Sequence, residues 1–201
     1  MKIISHRRNT LKELEATPVH YGVEVDIRSH GNDLVIHHDP FVVGEFFEEW
    51  FGAYKHGTLI LNVKEEGLEC RLIELMKSRG FEDYFFLDQS FPYLVRWSRR
   101  GEHRCAVRVS EFESVETALS LAGKVDWVWV DCFTKFPLTH FEAQRLQQAG
   151  FKLCLVSPEL QGRDVATEIP ALIKLLRQCG IVAEAVCTKY PDLWEQATAP
   201  A

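Results

Sequence analysis

Two carboxylates stand at a spacing that suits metal-ion chemistry. Glu24 and Asp26 are separated by one residue in segment 21–28, where valine and isoleucine occupy the positions between and beside them. In a β-strand, residues two apart point to the same face, so both carboxylates face one spot while the aliphatic side chains pack behind them. Two hard oxygen donors on a rigid strand make half of a site for Mg²⁺ or Ca²⁺.

Histidine and arginine side chains accompany this half-site in the sequence. His6 and Arg7 directly follow one apolar run, and His37, His38 and Asp39 follow another. Phosphodiester cleavage needs one group to remove a proton, another to donate one, and cations to hold the phosphate charge. Taken singly, each of these residues is more often a solvated or structural side chain. Their combination in order at strand ends makes the interpretation specific.

Length and charge limit the other possibilities. The chain has 201 residues, of which 46% are hydrophobic, enough for one domain (1–201) with a sizeable core. Its net charge is −6, with acidic and basic residues interspersed along the chain. This balance argues against a surface that coats nucleic acid, so a phosphate site would have to be locally basic.

The cysteines and the apolar runs indicate the compartment. Six cysteines are widely spaced without a CxxC pair, mostly within apolar runs, which predicts reduced core residues rather than a disulfide framework. The first residues are too poor in apolar content for a signal peptide, and no run approaches about 18 apolar residues. We expect a soluble, cytoplasmic protein without a transmembrane segment.

Short β-branched or aromatic runs alternate with helical patterns along the chain. The predicted strands are 2–6, 21–28, 58–64, 84–89, 104–110, 127–133, 152–157 and 185–189, with a short run at 34–38 that forms a β-hairpin with the second strand. Capping boxes at Thr10–Glu13 and Thr139–Glu142 predict helix starts. Glycines that follow the helical stretches predict their ends: Gly80, Gly101, Gly123, Gly150 and Gly180.

Eight strand–helix alternations without a glycine-rich phosphate loop predict an α/β fold, a compact (β/α)₈ TIM barrel. The chain is shorter than the usual ~250 residues of that fold, so its loops must be short. In such a barrel, function belongs at the carboxyl ends of the strands. The polar residues predicted there are His6, Arg7, Glu24, Asp26, Asn62, Lys64, Asp88, Arg108, Asp131 and Lys189.

The order of these motifs resembles a known family. The elements are His6-Arg7, Glu24-x-Asp26, an apolar residue before His38-Asp39, and Asn62-x-Lys64. They are similar to the motifs of the glycerophosphodiester phosphodiesterases and their phosphatidylinositol-phospholipase-C-like superfamily. Ser90-Phe91, segment 149–153 and segment 187–192 look like later landmarks of that family, so the resemblance spans nearly the whole chain.

The resemblance implies a phosphoric diester hydrolase that uses a divalent cation, Mg²⁺ or Ca²⁺. The substrate would be a small phosphodiester, such as a glycerophosphodiester or a lysophospholipid headgroup. His6 and His38 would be the acid/base pair, and Arg7 and Lys64 would bind the phosphate. The implied metal ligands are Glu24, Asp26 and, in the place of a third carboxylate, Asn62. His37 is expected on the opposite face of its short strand.

Several positions depart from the family pattern. Arg8 and Asn9 follow the His-Arg pair where the family has glycine, and Asn62 stands where it has a carboxylate. Segment 156–159 replaces a Trp-Thr-x-Asn motif, and only segment 40–57 remains of a usual insertion. These changes favour an alternative, a non-catalytic phosphate-ligand sensor that kept the pocket. A third possibility is another barrel enzyme, such as a phosphate-binding isomerase or aldolase.

Other residues have more than one interpretation. Asp131 is either a contact to a substrate hydroxyl or an indirect hydrogen-bond acceptor, and Asp88 either replaces the missing carboxylate or is structural. Arg28 and Arg108 either add positive potential or pair with local acids. Segment 45–54 places five aromatic side chains on one helical face, which predicts an ordinary packed helix more strongly than a lid.

Overall fold

The computed structural model describes residues 1–198 of the chain. Its strands are β1 (Lys2–Ser5), β2 (Gly22–His30), β3 (Asp33–Ile36), β4 (Glu45–Phe46), β5 (Leu59–Val63), β6 (Tyr84–Leu87), β7 (Ala106–Val109), β8 (Trp127–Val130), β9 (Lys152–Val156) and β10 (Ala185–Thr188). Its α-helices are α1 (Leu11–Glu15), α2 (Phe47–Gly52), α3 (Glu69–Ser78), α4 (Phe91–Arg99), α5 (Val115–Leu119), α6 (His140–Gln148), α7 (Val165–Cys179) and α8 (Pro191–Thr198), with a 3₁₀ turn at Pro158–Gln161. All eight strands predicted for the parallel sheet are present.

The parallel strands form one curled sheet. Hydrogen-bonded neighbours run in the order β6, β5, β2, β1, β10, β9, β8, β7. The two ends of this series, β6 and β7, are linked by a single parallel bridge between Phe86 and Cys105. The predicted α/β class is confirmed, and the sheet has its weakest seam between β6 and β7.

Two short strands lie beside the end of β2. β3 runs antiparallel to β2, with Ile36 opposite Ile27 and Asp33 opposite His30. β4, which the sequence does not predict, pairs with β3. This register brings the start of segment 37–44, which carries His38, beside Asp26, whose carbonyl oxygen accepts the backbone N–H of His37 at 3.0 Å.

The alternation of side chains along each strand divides the core into two apolar clusters. One cluster consists almost entirely of strand residues, including Phe85, Trp127 and Trp129, and fills the concave side of the sheet. The other includes Trp50 and other helix residues and lies between the helices and the sheet. Phe85 and Trp127 stack with ring centroids 4.4 Å apart. Both tryptophans of β8 therefore fill the interior.

The predicted helix boundaries are largely confirmed. Thr10 and Thr139 each form a complete capping box, with Glu13 and Glu142 respectively. The five predicted glycines at helix ends all have positive φ: Gly80, Gly101, Gly123, Gly150 and Gly180. Their left-handed backbone is the conformation that ends a helix at lowest steric cost.

The predicted start of the aromatic helix at Glu45 is wrong. Residues 45 and 46 pair with β3, so α2 begins at Phe47 and leaves Phe46 exposed. Phe47, Trp50 and Phe51 are buried against the sheet. The packed interpretation of this segment therefore agrees with the structure better than a lid does.

All six cysteines are free, and Cys105, Cys132, Cys154 and Cys187 are buried, whereas Cys70 is exposed on α3. None of the helices within residues 1–198 is both long and apolar enough to cross a bilayer.

Gly44 holds the loop that carries His38 against β3. A Cβ at this position would lie 1.8 Å from the carbonyl oxygen of Ile36. We predict that Gly44→Ala lowers the free energy of unfolding by about 1–3 kcal/mol, because the backbone must shift to relieve the overlap. Urea denaturation measures the change.

Gly52→Ala is the matched control, since nothing lies within 4 Å of its added Cβ and it is the last residue of α2. Alanine favours a helix over glycine by up to about 1 kcal/mol, so this variant should be neutral or more stable. Equal losses in both variants would contradict the close approach at Gly44.

Candidate active site

The sheet brings nearly all of the predicted site residues to one cavity. Asp26 and Asn62 are register partners on adjacent strands, β2 and β5, and His6 follows β1 on the other side of β2. A cavity of about 260 Å³ opens at the carboxyl ends of the strands. Its polar lining consists of His6, Arg7, Glu24, His38, Asn62, Lys64, Asp88, Arg108, Asp131, Gln161 and Lys189.

Glu24 is fully buried and both of its carboxylate oxygens accept hydrogen bonds. Oε1 accepts from Asn62 Nδ2 at 2.8 Å, and Oε2 accepts from the backbone N–H of Arg7 at 2.7 Å. Burial, followed by the neighbouring charge of Asp26, raises the pKa of Glu24 above its ordinary value. A cation close to both carboxylates would favour their charged forms.

Asp26 is also fully buried, and its side chain does not line the cavity. Lys64 Nζ lies 3.2 Å from Oδ1, and Arg7 Nε lies 3.5 Å from Oδ2. Asn9 donates from Nδ2 to Oδ2 at 2.8 Å and accepts the backbone N–H of Asp26 on its own Oδ1 at 3.1 Å. Asn9 therefore positions this carboxylate.

In the sequence, Asn9 stands out only as a departure from the family pattern, which indicates no role for it. Its place directly before the capping box at Thr10 was the available signal. A side chain at the start of a helix, beside the end of one strand, can reach the adjacent strand. The residue to which it hydrogen-bonds there cannot be predicted from the distance between residues in the sequence.

The oxygen donors near Glu24 and Asp26 are of the chemical type that divalent cations take, although Asn62 presents its Nδ2 and not its Oδ1 to Glu24. Asn62 Oδ1 is buried and has no hydrogen-bond partner within the described part of the chain. Two carboxylates and an amide oxygen are hard donors of the kind that Mg²⁺ and Ca²⁺ take. Across residues 1–198, however, no group of three His, Cys, Asp or Glu side chains is arranged to hold a metal. If a metal ion binds Glu24 and Asp26, a third ligand from the protein would therefore have to be Asn62.

The two candidate histidines reach the cavity from different elements. The His6 side chain is 12% exposed, and its Nε2 lies 3.7 Å from Glu24 Oε2. Burial, with the nearby charges of Arg7 and Lys189, lowers the pKa of His6 to about 3, so the ring is neutral.

His38 is fixed by two contacts outside the cavity. Its Nδ1 lies 2.8 Å from Asp39 Oδ1, and its carbonyl oxygen accepts from Arg28 Nη2 at 2.8 Å. The bond to the His38 ring lowers the pKa of Asp39. Arg28 thus holds the backbone of the His38 loop, as well as lying 3.7 Å from Glu65.

His37 lies just after β3, and its ring does not line the cavity. Its Nδ1 accepts the backbone N–H of Asp39 at 3.0 Å. The two adjacent histidines therefore occupy different environments, and because β3 ends at Ile36 neither of them belongs to a strand.

A charge network forms the far wall of the cavity. Asp88, which has a left-handed φ of 59°, pairs with Lys64 at 3.2 Å and with Arg108. Arg108 Nη1 donates to Asp131 Oδ2 at 3.2 Å, and Gln161 Nε2 donates to Asp131 Oδ1 at 2.7 Å. Asp131 is buried, which raises its pKa, and its oxygens are already engaged. Its position favours a role in orienting Arg108 and Gln161.

Lys189 is the cavity cation whose charge is not offset. Its backbone N–H donates to the buried carboxylate of Glu159 at 2.9 Å, which fixes the start of the turn after β10. No hydrogen bond or ion pair of its ammonium group occurs within residues 1–198. The same carboxylate accepts from Ser157, whose Oγ also accepts from Trp194 Nε1 at 2.8 Å, so Ser157 is a structural residue.

The overall structure matches solved structures at low sequence identity. A glycerophosphodiester phosphodiesterase from Agrobacterium tumefaciens is 14% identical, with a TM-score of 0.66, 98% of this chain covered and 99% of that chain. A glycerophosphoryl diester phosphodiesterase from Parabacteroides distasonis is 13% identical, with a TM-score of 0.65 and coverage of 98% and 85%. A mutant tryptophan synthase α-subunit from Pyrococcus furiosus is 11% identical, with a TM-score of 0.58 and coverage of 93% and 86%.

The sequence itself matches no family model and no curated protein. At these identities the structural likeness establishes the α/β fold alone. Because proteins with different activities share that fold, function has to be argued from the side chains of the cavity.

We predict that Asn9→Ala destabilises the fold by about 1–3 kcal/mol, because it leaves Oδ2 and the backbone N–H of buried Asp26 without their partner. Unfolding in urea tests this. Asn32→Ala removes an equivalent side chain from the exposed turn between β2 and β3 and should change stability little. Equal stabilities of the two variants would contradict the positioning role of Asn9.

Proposed function

We propose that the protein is a metal-assisted phosphodiesterase that cleaves a small glycerophosphodiester-like substrate. The observation that carries this proposal is that His6 and His38, from different elements, line one small cavity with Arg7, Lys64 and a buried carboxylate, Glu24. The likeness to solved glycerophosphodiester phosphodiesterases supports it. Closure of the curled sheet into a (β/α)₈ barrel at the Phe86–Cys105 bridge, and a cytoplasmic location, belong to the same proposal.

In the proposed reaction a neighbouring hydroxyl of the substrate attacks phosphorus. One histidine of the pair His6 and His38 removes the hydroxyl proton, and the other protonates the departing alcohol oxygen. The products of this step are a cyclic phosphate and a free alcohol. Water then opens the cyclic phosphate with the two histidine roles exchanged.

The cations of the cavity stabilise the charge on the phosphoryl oxygens. Arg7 and Lys64 are the cations that the motif resemblance assigns to this task. We add Lys189, because its ammonium group lines the same cavity near His6 and no carboxylate neutralises it within the described residues. Lys64, by contrast, is shared between Asp26 and Asp88, each at 3.2 Å.

Glu24, Asp26 and Asn62 are the proposed holders of a divalent cation. Such an ion, when bound, neutralises negative charge on a phosphoryl oxygen. The Oδ1 of Asn62, which has no hydrogen-bond partner among residues 1–198, supports this assignment, as does the complete burial of both carboxylates.

A specific feature favours the second candidate, a phosphate-ligand sensor without turnover. The set Glu24, Asp26 and Asn62 contains one carboxylate fewer than the related motif, and Lys64 already offsets the charge of Asp26. The two candidates share the anion-binding cavity and differ in whether the histidines act on the bound phosphodiester.

We predict that Asn62→Asp tightens binding of Mg²⁺ or Ca²⁺ by about tenfold or more, because it adds a charged oxygen ligand. Calorimetric titration measures the affinity. In a chelator the variant should be less stable than wild type, since a third buried carboxylate repels the other two, and adding the metal should restore its stability. Asn32→Asp, which adds the same charge in an exposed turn, should change neither the affinity for the metal nor the stability in a chelator. Unchanged or weaker affinity in Asn62→Asp would show that residue 62 does not contact the ion.

We predict that His6→Ala and His38→Ala each reduce hydrolysis of a glycerophosphodiester by about 10²–10⁴-fold, because each removes a proton-transfer group. Their melting temperatures should remain close to that of wild type. His37→Ala, whose ring lies outside the cavity, is the matched control and should keep most of the rate.

The same assay separates the two candidate functions. If the wild type is active and either His6→Ala or His38→Ala keeps the wild-type rate, the two-histidine mechanism is contradicted. A wild type that binds glycerophosphodiesters but cleaves none, with Mg²⁺, Ca²⁺ or Mn²⁺, would favour the sensor.

A further inference from the structure

Asp88 lies at the weakest seam of the curled sheet. The adjacent strands β6 and β7 are joined by a single parallel bridge, between Phe86 and Cys105. Asp88 directly follows β6, and Arg108 belongs to β7, so both residues lie beyond that bridge toward the carboxyl ends of the strands. Their side chains form an ion pair across the seam. A charged contact therefore links the two strands on the carboxyl side of their backbone bridge.

The carboxylate of Asp88 contacts two cations that come from different strands. Its Oδ2 accepts from Lys64 Nζ at 3.2 Å, and its Oδ1 accepts from Arg108 Nη2. Lys64 directly follows β5, which pairs with β6 on the side away from β7. All three side chains line the candidate active-site cavity. Asp88 thus joins a cation beside the buried Asp26 to a cation on the far wall.

The backbone at Asp88 has an uncommon conformation. Its φ of 59° is in the left-handed region, which residues other than glycine adopt rarely and which aspartate and asparagine tolerate best. Such a conformation persists where neighbouring contacts enforce it. Here β6 precedes the residue, and immediately after it Gln89 Nε2 donates to the buried carboxylate of Glu69 at 3.0 Å. The direction of the Asp88 side chain is therefore fixed from both sides.

Each of the two cations contacts more than one carboxylate. Lys64 Nζ lies 3.2 Å from Asp26 and 3.2 Å from Asp88. Arg108 pairs with Asp88 and donates to Asp131 Oδ2 at 3.2 Å. Two positive charges thus face three carboxylates, which lowers the attraction of these cations for a phosphate anion. The same contacts fix the ammonium and guanidinium groups in place, and groups that are already in place stabilise a transition state best.

We propose that Asp88 is a positioning residue for the phosphodiesterase reaction. It holds Lys64 and Arg108 where they contact the phosphoryl oxygens, and its own negative charge weakens the binding of the phosphate. The proposal rests on the proposed function, because it gives Asp88 a task in that reaction. Without this carboxylate the two cations attract an anion more strongly but are less well placed for the transition state. Binding should therefore strengthen while turnover slows.

The first test measures phosphate binding without turnover. Asp88→Asn removes the charge and keeps a side chain that tolerates the left-handed backbone. Titration calorimetry with inorganic phosphate should give a Kd at least about threefold lower than that of wild type, because both cations lose a competing carboxylate. Asp88→Gly, which adopts the same backbone without strain, is the second variant and should change the Kd in the same direction.

Asp83→Asn is the matched control at the opposite end of the same strand. Asp83 directly precedes β6, and its carboxylate also lies 3.2 Å from a lysine ammonium group, that of Lys2. This variant removes the same charge from the chain but leaves the cavity intact, so its Kd for phosphate should equal that of wild type. An equal gain in affinity in both asparagine variants would mean that net charge alone is responsible, and would contradict the proposal.

The second test measures turnover of glycerophosphocholine. Asp88→Asn should lower kcat by about tenfold or more and should also lower KM, since the phosphate binds more tightly but the cations are less well placed. A purely structural role for Asp88 predicts weaker phosphate binding together with slower turnover. Asp83→Asn should keep both kinetic constants.

The outcomes separate this role from the proposed activity. If neither Asp88 variant binds phosphate more tightly than wild type, or if Asp88→Asn keeps the wild-type kcat, the positioning role is wrong while the activity stands. If both variants bind phosphate more tightly but the wild type cleaves no glycerophosphodiester, Asp88 does restrain the two cations of an anion site and the proposed activity is wrong.

Discussion

The site depends on two carboxylates, those of Glu24 and Asp26, that are fully shielded from solvent. Burying an ionised carboxylate costs several kcal/mol unless cations and hydrogen-bond donors replace its water. The backbone N–H of Arg7 and the side chains of Asn9, Asn62 and Lys64 supply those replacements. The carboxylates of Glu24 and Asp26 on β2 therefore bind groups from three other places. These are the turn after β1, the residues just before α1, and the end of β5.

The same constraint extends across the mouth of the cavity as a series of alternating charges. Lys64 links Asp26 to Asp88, and Arg108 links Asp88 to Asp131. Charges that are paired in this way are fixed in position and contribute little free potential for an incoming anion. Residues outside the series, such as Lys189, retain that potential. The attraction of an anion to the cavity therefore depends more on which cations lack a carboxylate partner than on the number of cations.

The comparison structures show how little the backbone alone decides. Phosphodiesterases and a tryptophan synthase α-subunit match this chain at TM-scores between 0.58 and 0.66 and at almost equal sequence identity. The fold brings the carboxyl ends of its strands together in each case, and the chemistry depends on the side chains placed there. Here those side chains are two histidines, a buried pair of carboxylates and several cations.

The sequence by itself determined the features that depend on local rules. Period-two alternation predicts that Glu24 and Asp26 share a face, capping boxes and glycines predict the helix ends, and apolar runs predict the strands. Only the tertiary structure decided the pairing of Asn9 with Asp26, the positions of Lys64 and Lys189 relative to carboxylates, and the gap between β6 and β7. These features depend on strand register and on the curl of the sheet, which bring together residues far apart in the chain and leave no mark in its local pattern.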